Sequence, residues 1–437
     1  MGLSGCGWTV LAAGLLVTAI EPALAADRGP DPADVARRTD GIESQVIAWR
    51  RDLHQNPELG NREFRTSKRV AEHLRNLGLD VRTGVAHTGV VGILKGGLPG
   101  RVVALRADMD ALPVVEQVDL PFASKARSTY NGQDVGVMHA CGHDVHTAVL
   151  MGAASVLAGV RDRIPGTVVF LFQPAEEGAP AGEEGGASLM IKEGVLDNPK
   201  VEAIFGLHTW PGPPGALMYR AGGTMAGSDT LRIVVKGRQT HAAVPWRGID
   251  PIVVASQIVI GLQTIASRQV DTATPVVISI GKISGGVRYN IIPDEVEMAG
   301  TIRVIEPKIH EDVRERVRRT ARSIAEAAGA TAEVEITPNA IVTYNDPELT
   351  RRMVPTLQRA AGAAGAVEAP PLMPAEDFSY YQQRVPGVFF FLGINKEGVP
   401  AEEAAPNHSP LFFVNEAALK PGVRAMVGMA LDYLTGQ

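Results

Sequence analysis

The hydrophobic positions in the first half of the chain follow two different patterns. At 42–54 and 66–77 apolar residues recur every three or four positions, which predicts amphipathic helices. A further, mostly apolar helix is predicted at 146–160. Between these segments lie short apolar runs bounded by Gly and Pro, typical of buried strands, at 90–94, 102–105, 168–172 and 203–207. Strands that alternate with helices predict an α/β sheet with helices on both faces.

The order of elements changes from about residue 220. Asp250 is a suitable N-cap for a helix with Pro251 at its first position. Strands are predicted at 231–235, 275–283, 295–304 and 332–336, with helices at 251–265 and 307–328. This β-α-β-β-α-β order is that of a small ferredoxin-like domain. Because a late strand at 388–392 and a closing helix at 416–434 extend the first sheet, the smaller domain is expected to be an insertion.

The N-terminal segment resembles an export signal. An apolar stretch at 11–20 is followed by Ala23, Leu24 and Ala25, a small-x-small pattern that predicts cleavage after Ala25. No Lys or Arg precedes the apolar stretch, so a mis-assigned start codon or an uncleaved anchor are the alternatives. The expected division is a signal at 1–25, a larger domain at 26–219 and 338–437, and an inserted domain at 220–337. The expected location is the periplasm or the extracellular medium.

Composition excludes several classes of protein. The chain has 437 residues, 45% hydrophobic and 21% charged, which is ordinary for a globular protein and excludes a disordered chain. The net charge of -6 and the lack of a long basic run argue against a nucleic-acid partner. No apolar run after the signal is expected to span a membrane. Of the two cysteines, Cys6 lies in the predicted signal, so Cys141 is expected to be the lone thiol of the mature protein.

A segment rich in histidine precedes the helix predicted at 146–160. It contains His139, Cys141, His143 and His146. Alternate positions of an extended loop project the same way, so Cys141 and His143 can reach one metal centre. A helix N-terminus also favours the thiolate form of cysteine. The alternative interpretation is a capped helix start with a buried cysteine.

Polar side chains also follow three of the predicted strands, where ligand sites of α/β sheets lie. Glu176 and Glu177 come after 168–172, His208 after 203–207, and Asp108 and Asp110 after 102–105. A pair of adjacent carboxylates suits one metal ligand and one general base, although a solvated acidic loop is the alternative. The aspartates either cap a turn or orient a ligand histidine.

Eight motifs together resemble the cocatalytic metal-dependent aminoacylase/carboxypeptidase family. Within it they resemble the amidohydrolase branch of hippurate hydrolase and the plant indole-3-acetyl-amino acid hydrolases. The resemblance covers roughly residues 49–437. The motifs are RADMDALP (106–113), MHACGHD (138–144), QPAEEG (173–178), GLHTWP (206–211), HAAVP (241–245), YNIIPD (289–294), PAEDFS (374–379) and NHSP (407–410).

The resemblance implies a zinc-exopeptidase-like catalytic domain with a mixed sheet and a ferredoxin-like lid that also forms a homodimer. Glu176 resembles the family's general base and acid, and Asp110 resembles the aspartate that orients the metal site. His241 resembles a histidine that holds the reacting carbonyl, often across the dimer, while Asn290 and Arg303 resemble groups that hold the substrate carboxylate. The implied ligands of two divalent metal ions are Cys141, His143, Glu177, His208 and His408.

The expected activity is hydrolysis of the amide bond of N-acyl amino acids or short peptides. Thiolate and imidazole ligands favour Zn, whereas a carboxylate and a dinuclear centre also admit Mn, Co or Ni. Asp108 occupies the place of a ligand histidine in other branches, so its role stays open. Trp246 stands where relatives often have a second histidine. The alternatives are a non-catalytic exported binding protein on the same fold and a deacetylase of an N-acetylated diamino acid.

Overall fold

The computed structural model describes residues 1, 2, 5 and 29–436. The predicted export signal therefore lies almost entirely outside the described residues. The elements of the first part are α1 (Pro32–Gln55), α2 (Phe64–Asn76), β1 (Asp80–Val85), β2 (Gly89–Lys95), β3 (Leu98–Asp108), β4 (Arg127–Tyr130), β5 (Gln133–Gly136), α3 (His143–Gly159), β6 (Pro165–Gln173), α4 (Gly186–Lys192), β7 (Ala203–Trp210), β8 (Leu217–Tyr219) and β9 (Gly222–Met225).

A second group of elements forms a smaller unit, and the chain then returns to the large sheet. The smaller unit contains β10 (Gly227–Lys236), β11 (Thr240–His241), α5 (Pro251–Thr264), β12 (Val276–Gly285), β13 (Ile291–Ile292), β14 (Glu295–Val304), α6 (Pro307–Ala327) and β15 (Thr331–Ala340). The last part contains β16 (Thr343–Asn345), α7 (Pro347–Ala361), β17 (Ala366–Glu368), α8 (Ser379–Gln382), β18 (Gly387–Gly393) and α9 (Leu419–Thr435).

The large sheet is mixed, and its centre is parallel. Its strand order is β1-β2-β6-β3-β7-β18-β8-β17. Strands β6, β3, β7 and β18 run parallel to one another. Strands β1 and β2 pair antiparallel with their neighbours, and β8 pairs antiparallel with β18 but parallel with β17. Because the four central strands run the same way, their carboxyl ends meet at one edge of the sheet.

Helices cover both faces of this sheet, as the sequence predicts. Alternate residues of a strand point to opposite faces, so Val103 and Leu105 pack with α1, α3 and α9, whereas Ala104 packs with α4 and α8. Phe390 and Phe389 of β18 divide in the same way. Both faces are therefore buried, which explains why the central strands are continuous apolar runs in the sequence.

The smaller unit is an antiparallel sheet of four strands in the order β12-β14-β10-β15, with α5 and α6 packed on one face. Leu231, Ile233 and Val235 face those helices. On the opposite face Arg232 pairs with Glu297 across the strands at 2.5 Å. Elements β10, α5, β12, β14, α6 and β15 follow one another in the strand and helix order that the sequence predicts.

The helical segment Pro251–Gln269 of the smaller unit differs from the expectation that no later segment is apolar enough for a membrane. By length and composition alone it is long and apolar enough to cross one, with a mean hydropathy of 1.2. Its first charged residue is Arg268, which explains the high hydropathy. Val254, Ile258 and Leu262 are buried against the four-stranded sheet. Only 33% of the apolar stretch is buried, so much of this helix presents apolar side chains to solvent.

Periodicity locates most elements but does not reveal those without an apolar pattern. Helices α2, α5 and α6 begin and end within two residues of the prediction. Helix α1 starts ten residues earlier than predicted, at Pro32, because its first turns are polar and are capped by Asp31. Hairpin β4–β5 escapes prediction because its residues are almost all exposed, and α7 because Pro355 and an Ala-rich end obscure its period.

Gly152 sits where three helices approach closely. A Cβ at this position of α3 would lie 2.7 Å from Val46 Cγ2 of α1 and 3.0 Å from Val423 Cγ2 of α9. Gly41, by contrast, lies on α1, and none of the described side chains comes within 4 Å of the place that a Cβ would take there. The same Gly→Ala change therefore meets a packed contact at one position and open space at the other.

We expect Gly152→Ala to lower the free energy of unfolding by roughly 1–3 kcal/mol, because an added methyl group overpacks the core. Gly41→Ala is expected to raise it by about 0.5–1 kcal/mol, since alanine restricts the unfolded chain. Chemical denaturation of both variants measures the two effects. A Gly152→Ala variant as stable as the parent would contradict the packing of α1, α3 and α9.

Candidate metal centre

Three neighbouring strands deliver polar side chains to the same edge of the large sheet. Strand β3 ends at Asp108, β6 ends just before the Glu176 loop, and β7 carries His208 near its end. Asp108 lies opposite Gln173 in the sheet register, and Phe391 of β18 lies opposite His208. The loops that follow these strands therefore form one cleft.

Cys141 lies between two groups of ligand atoms. Its Sγ atom and one nitrogen each of His143 and His208 all lie within 4.8 Å of one another. The same Sγ atom, an oxygen of Glu177 and a nitrogen of His408 also lie within 4.8 Å of one another. The structure thus brings all five predicted metal ligands together, with Cys141 common to both groups.

The loop that carries Cys141 depends on Gly142. This glycine has a φ of 85°, and a Cβ there would lie 2.2 Å from the Oγ1 atom of Thr209. Only glycine combines this backbone conformation with so close an approach. The tight turn places Cys141 and His143 on the same side, at the start of α3.

His143 and His208 present nitrogen atoms to this cluster in different ways. Both ring nitrogens of His143 are buried without a hydrogen-bond partner among the described residues, although Asp110 Oδ1 lies 3.3 Å from Nδ1. His208 donates its Nδ1 proton to the carbonyl of Thr209 at 2.7 Å, which leaves Nε2 at 3.5 Å from the thiol of Cys141. Burial lowers the pKa of His208 well below its ordinary value, so its ring is neutral and able to bind a metal.

Glu177 and His408 complete the second group. His408 Nε2 lies 2.8 Å from Glu177 Oε1, and hydrogen bonding to Cys141 and Glu177 raises the pKa of His408 to about 10. His408 has a φ of 69°, which is uncommon for a residue other than glycine. Backbone strain of this kind is concentrated at functional sites. A strained loop therefore holds this imidazole against the carboxylate.

Asp110 supports the glutamate pair as well as His143. Its two carboxylate oxygens accept hydrogen bonds from the backbone N–H groups of Glu176 and Glu177, both at 3.0 Å. Ala175, just before them, has a φ of 49° and donates its N–H to the buried Glu63. Asp110 thus lies where it can orient both the loop and the His143 ring.

Glu176 stands beside the ligand cluster. Its Oε2 atom lies 3.9 Å from His143 Nε2. Burial raises the pKa of Glu176 well above its ordinary value, and the neighbouring carboxylates of Glu376, Glu177 and Asp377 raise it further. A carboxyl group in such surroundings suits a general base that later acts as an acid.

Sequence reasoning assigns no role to Glu376 and Asp377, although it singles out their PAEDFS motif. Both residues line the cleft, and Asp377 donates its N–H to Glu176 at 3.4 Å. The buried guanidinium of Arg106 donates to Glu376 at 2.9 Å and to Asp377 at 3.0 Å. Burial raises the pKa of Glu376 to about 8, an effect that Arg106 opposes. The motif is the available signal, but sequence spacing gives no hint that it lies next to Glu176.

Two of the four candidate metal ligands in segment 139–146, His139 and His146, lie outside the two groups that share Cys141. His146 donates from Nδ1 to Asp108 at 2.5 Å and accepts at Nε2 from the N–H of Thr209 at 2.8 Å, so both of its nitrogens are engaged. Asp108 therefore contacts a histidine that lies outside the five predicted ligands. His139 is buried with neither nitrogen hydrogen-bonded among the described residues, and burial lowers its pKa to about 3.

Of the remaining predicted site residues, Arg303 lies in the cleft, whereas His241 and Asn290 lie elsewhere on the smaller unit. Arg303 of β14 lines the cleft, together with Ser228 of β10. Neither His241 nor Asn290 is among the described residues that line it. His241 lies in β11 of the small β11–β13 ladder. Asn290 directly precedes β13, and its backbone carbonyl accepts a hydrogen bond from the N–H of Ala242 at 3.0 Å.

The donor atoms fit two divalent cations. One thiol, three imidazoles and a carboxylate are the ligand types of zinc and related metals. The buried and unpartnered nitrogens of His143 support this fit, since buried polar atoms without any partner are rare. Cys141, His143 and His208 would hold one ion, and Cys141, Glu177 and His408 the other.

Comparison with known proteins agrees with this geometry. Residues 104–432 match the family described as peptidase family M20/M25/M40. Thermostable carboxypeptidase 2 of Saccharolobus solfataricus is 42% identical over 90% of this chain and 96% of its own length. The IAA-amino acid hydrolase ILR1-like 2 of Arabidopsis thaliana is 40% identical over 89% of this chain and 86% of its own.

A solved structure has the same fold. The YXEP protein of Bacillus subtilis, described as a dinuclear metal binding peptidase from the M20 family, is 36% identical with a TM-score of 0.76. The match covers 91% of this chain and 99% of that one. The chain therefore belongs to the peptidase family M20/M25/M40, and it is a metal-dependent hydrolase of amide or peptide bonds.

Proposed function

We propose that this protein hydrolyses the amide bond of N-acyl amino acids or short peptides at a site that holds two zinc or manganese ions. The observation that carries the proposal is the position of Cys141, whose Sγ atom belongs to both groups of ligand atoms. Glu176 lies at the edge of the same cluster. One general base beside two metal positions is an arrangement suited to hydrolysis of an unactivated amide.

The roles of the residues follow from their positions. Divalent cations held by the five proposed ligands would supply Lewis-acid chemistry, which lowers the pKa of water and polarises a carbonyl. Glu176 accepts the proton of the attacking water and then delivers it to the leaving nitrogen. Asp110 fixes the position of the Glu176 loop relative to the His143 ring, because its carboxylate contacts both. Asp110 is in this sense a positioning residue.

Arg303 is proposed to bind the carboxylate of the substrate. Arg303 lines the cleft from strand β14 of the smaller unit. Its Nε atom donates to Thr301 Oγ1 at 3.1 Å, which orients the guanidinium plane. A planar guanidinium matches a carboxylate with two parallel hydrogen bonds, so it selects substrates that end in a free amino-acid carboxylate.

We further propose that the smaller unit is a ferredoxin-like lid through which the protein forms a homodimer. Its edge strand β12 and helix α5 carry exposed apolar side chains, among them Ile260, which is 71% exposed, and Ile283. Exposed apolar surface of this kind is typical of an interface between subunits. His241 and Asn290 would then reach the cleft of the partner subunit, which accounts for their position away from their own cleft.

Export to the periplasm or the medium is proposed from the N-terminal sequence. The apolar stretch at 11–20 and the Ala23 to Ala25 pattern support it. A mature protein that begins at Ala26 would retain a single thiol, Cys141, and metal ligation would protect it from oxidation. N-terminal sequencing of protein recovered from the periplasm and medium tests the position of cleavage.

The Glu176→Gln substitution tests the catalytic role directly. Because glutamine cannot accept a proton, we expect kcat for N-acyl amino acids to fall by about 10²–10⁴-fold while the metal content stays unchanged. Glu184→Gln is the matched control, since Glu184 lies in the same loop but pairs with Lys192 at the surface. Activity is measured as release of the free amino acid from a panel of N-acyl amino acids and dipeptides.

Chelation gives the second arm of this test. Removal of the metal ions is expected to abolish turnover, and addition of Zn²⁺ or Mn²⁺ is expected to restore it. Full activity in the chelated protein or in Glu176→Gln would reject the mechanism. Substrate binding without turnover by the metal-loaded parent would support a non-catalytic binding protein instead.

A mixture of two inactive variants tests the dimer. Glu176→Gln lacks the base, and His241→Ala lacks the histidine that acts on the partner subunit. If His241 acts across the dimer, equal amounts unfolded and refolded together should regain about a quarter of the parent activity, because half of the dimers are mixed and one of their two sites is intact. Each variant refolded alone is the control. A mixture as inactive as its components would show that His241 acts within its own chain or not at all.

A further inference from the structure

Thr209 is hydrogen-bonded to three of the segments that carry proposed metal ligands. It follows His208 at the end of β7 and is fully buried. Its hydroxyl donates to the carbonyl of Cys141 at 2.8 Å. Its own carbonyl accepts from His208 Nδ1 at 2.7 Å and from Asn407 Nδ2 at 3.3 Å. One threonine is therefore hydrogen-bonded to the loop of Cys141, to the His208 ring and to the residue before His408.

The backbone N–H of Thr209 is hydrogen-bonded to a histidine that is itself held by a buried aspartate. It donates to Nε2 of His146 at 2.8 Å, and His146 donates from Nδ1 to Asp108. Asp108 in turn accepts from the buried Arg106 at 2.6 Å. This chain of hydrogen bonds connects the end of β7 to the end of β3, next to the metal-ligand cluster. It also gives a role to His146 and Asp108, neither of which is among the five predicted ligands.

From this geometry we infer that Thr209 is a positioning residue for both metal ions. Its hydroxyl fixes the position of the Cys141 backbone, and Cys141 is the ligand common to both groups. Its carbonyl accepts the Nδ1 proton of His208 and so selects the ring tautomer that leaves Nε2 free. Partners of this kind, one bond removed from the metal, orient ligands and tune affinity. The inference rests on the proposed function, because it requires that the five ligands bind metal.

The test compares Thr209→Val with Thr209→Ser in the full chain. Valine keeps the branched shape but removes the hydroxyl, so the Cys141 loop loses its donor. We expect Thr209→Val to bind Co²⁺ about 10–100-fold more weakly than the parent, in line with the loss of an outer-shell partner. Thr209→Ser retains the hydroxyl and is expected to restore the affinity of the parent. Calorimetric titration of the metal-free protein with Co²⁺ measures the affinity and the number of ions bound.

A spectroscopic signal separates positioning from general destabilisation. Co²⁺ bound to a cysteine thiolate gives a charge-transfer band in the near ultraviolet, and a displaced Cys141 should shift or weaken that band in Thr209→Val. Thr350→Val is the matched control, because Thr350 is equally buried and its hydroxyl donates to the backbone carbonyl of Asp346 at 2.7 Å, in a helix remote from the cluster. That variant is expected to lose stability and to keep both the band and the affinity for Co²⁺.

The outcomes are distinguishable from a failure of the proposed function. A parent protein that binds no Co²⁺ would reject the metal site itself. A parent that binds two ions, together with a Thr209→Val variant of equal affinity and spectrum, would overturn only the inference. If Thr209→Val does not fold, Thr209→Ala removes the same hydroxyl without adding a methyl group. Unchanged Co²⁺ affinity and spectrum in that variant would overturn the inference as well.

Discussion

A single buried guanidinium makes the acidic side of the cleft possible. Arg106 is fully buried and donates hydrogen bonds to Asp108, Glu376 and Asp377. Carboxylates packed this closely repel one another, and burial of unpaired charge is costly. Because Arg106 belongs to β3 while Glu376 and Asp377 belong to a distant loop, the same ion pairs also attach that loop to the sheet. The backbone N–H of Asp377 in that loop also donates to the carboxylate of Glu176 at 3.4 Å.

The site combines rigid supports with strained connections. Strands β3, β6 and β7 place the loops, and the hydrophobic layers on both faces of the sheet hold those strands in place. The loops themselves contain unusual backbone conformations at Ala175 and His408. Such conformations persist only where the surrounding structure compensates for their cost. Here the backbone N–H of Ala175 donates to Glu63, and that of His408 donates to the carbonyl of Ala140.

The two units of the chain contribute unequal parts of the chemistry. The large sheet supplies every proposed metal ligand and the proposed base, whereas the smaller unit supplies Arg303 to the wall of the cleft. The smaller unit also exposes the apolar residues of α5 and β12. In the proposed mechanism, a division of this kind separates the hydrolytic groups from the group that binds the substrate carboxylate.

The sequence by itself determined the alternation of strands and helices and the location of Glu176 and Glu177 after a buried strand, because these depend on local periodicity and residue type. The set of five proposed ligands is implied instead by the resemblance of eight motifs to a known family. The sequence left the roles of Asp108 and His146 open, assigned none to Thr209, and gave no sign that Glu376 lies beside Glu176. Those relations join residues far apart in the chain, such as Arg106 and Glu376, and no local pattern encodes them. Only the packing of parallel strands brings their ends together, so the tertiary structure decided which polar residues contact one another and which of the histidines stand at the cluster.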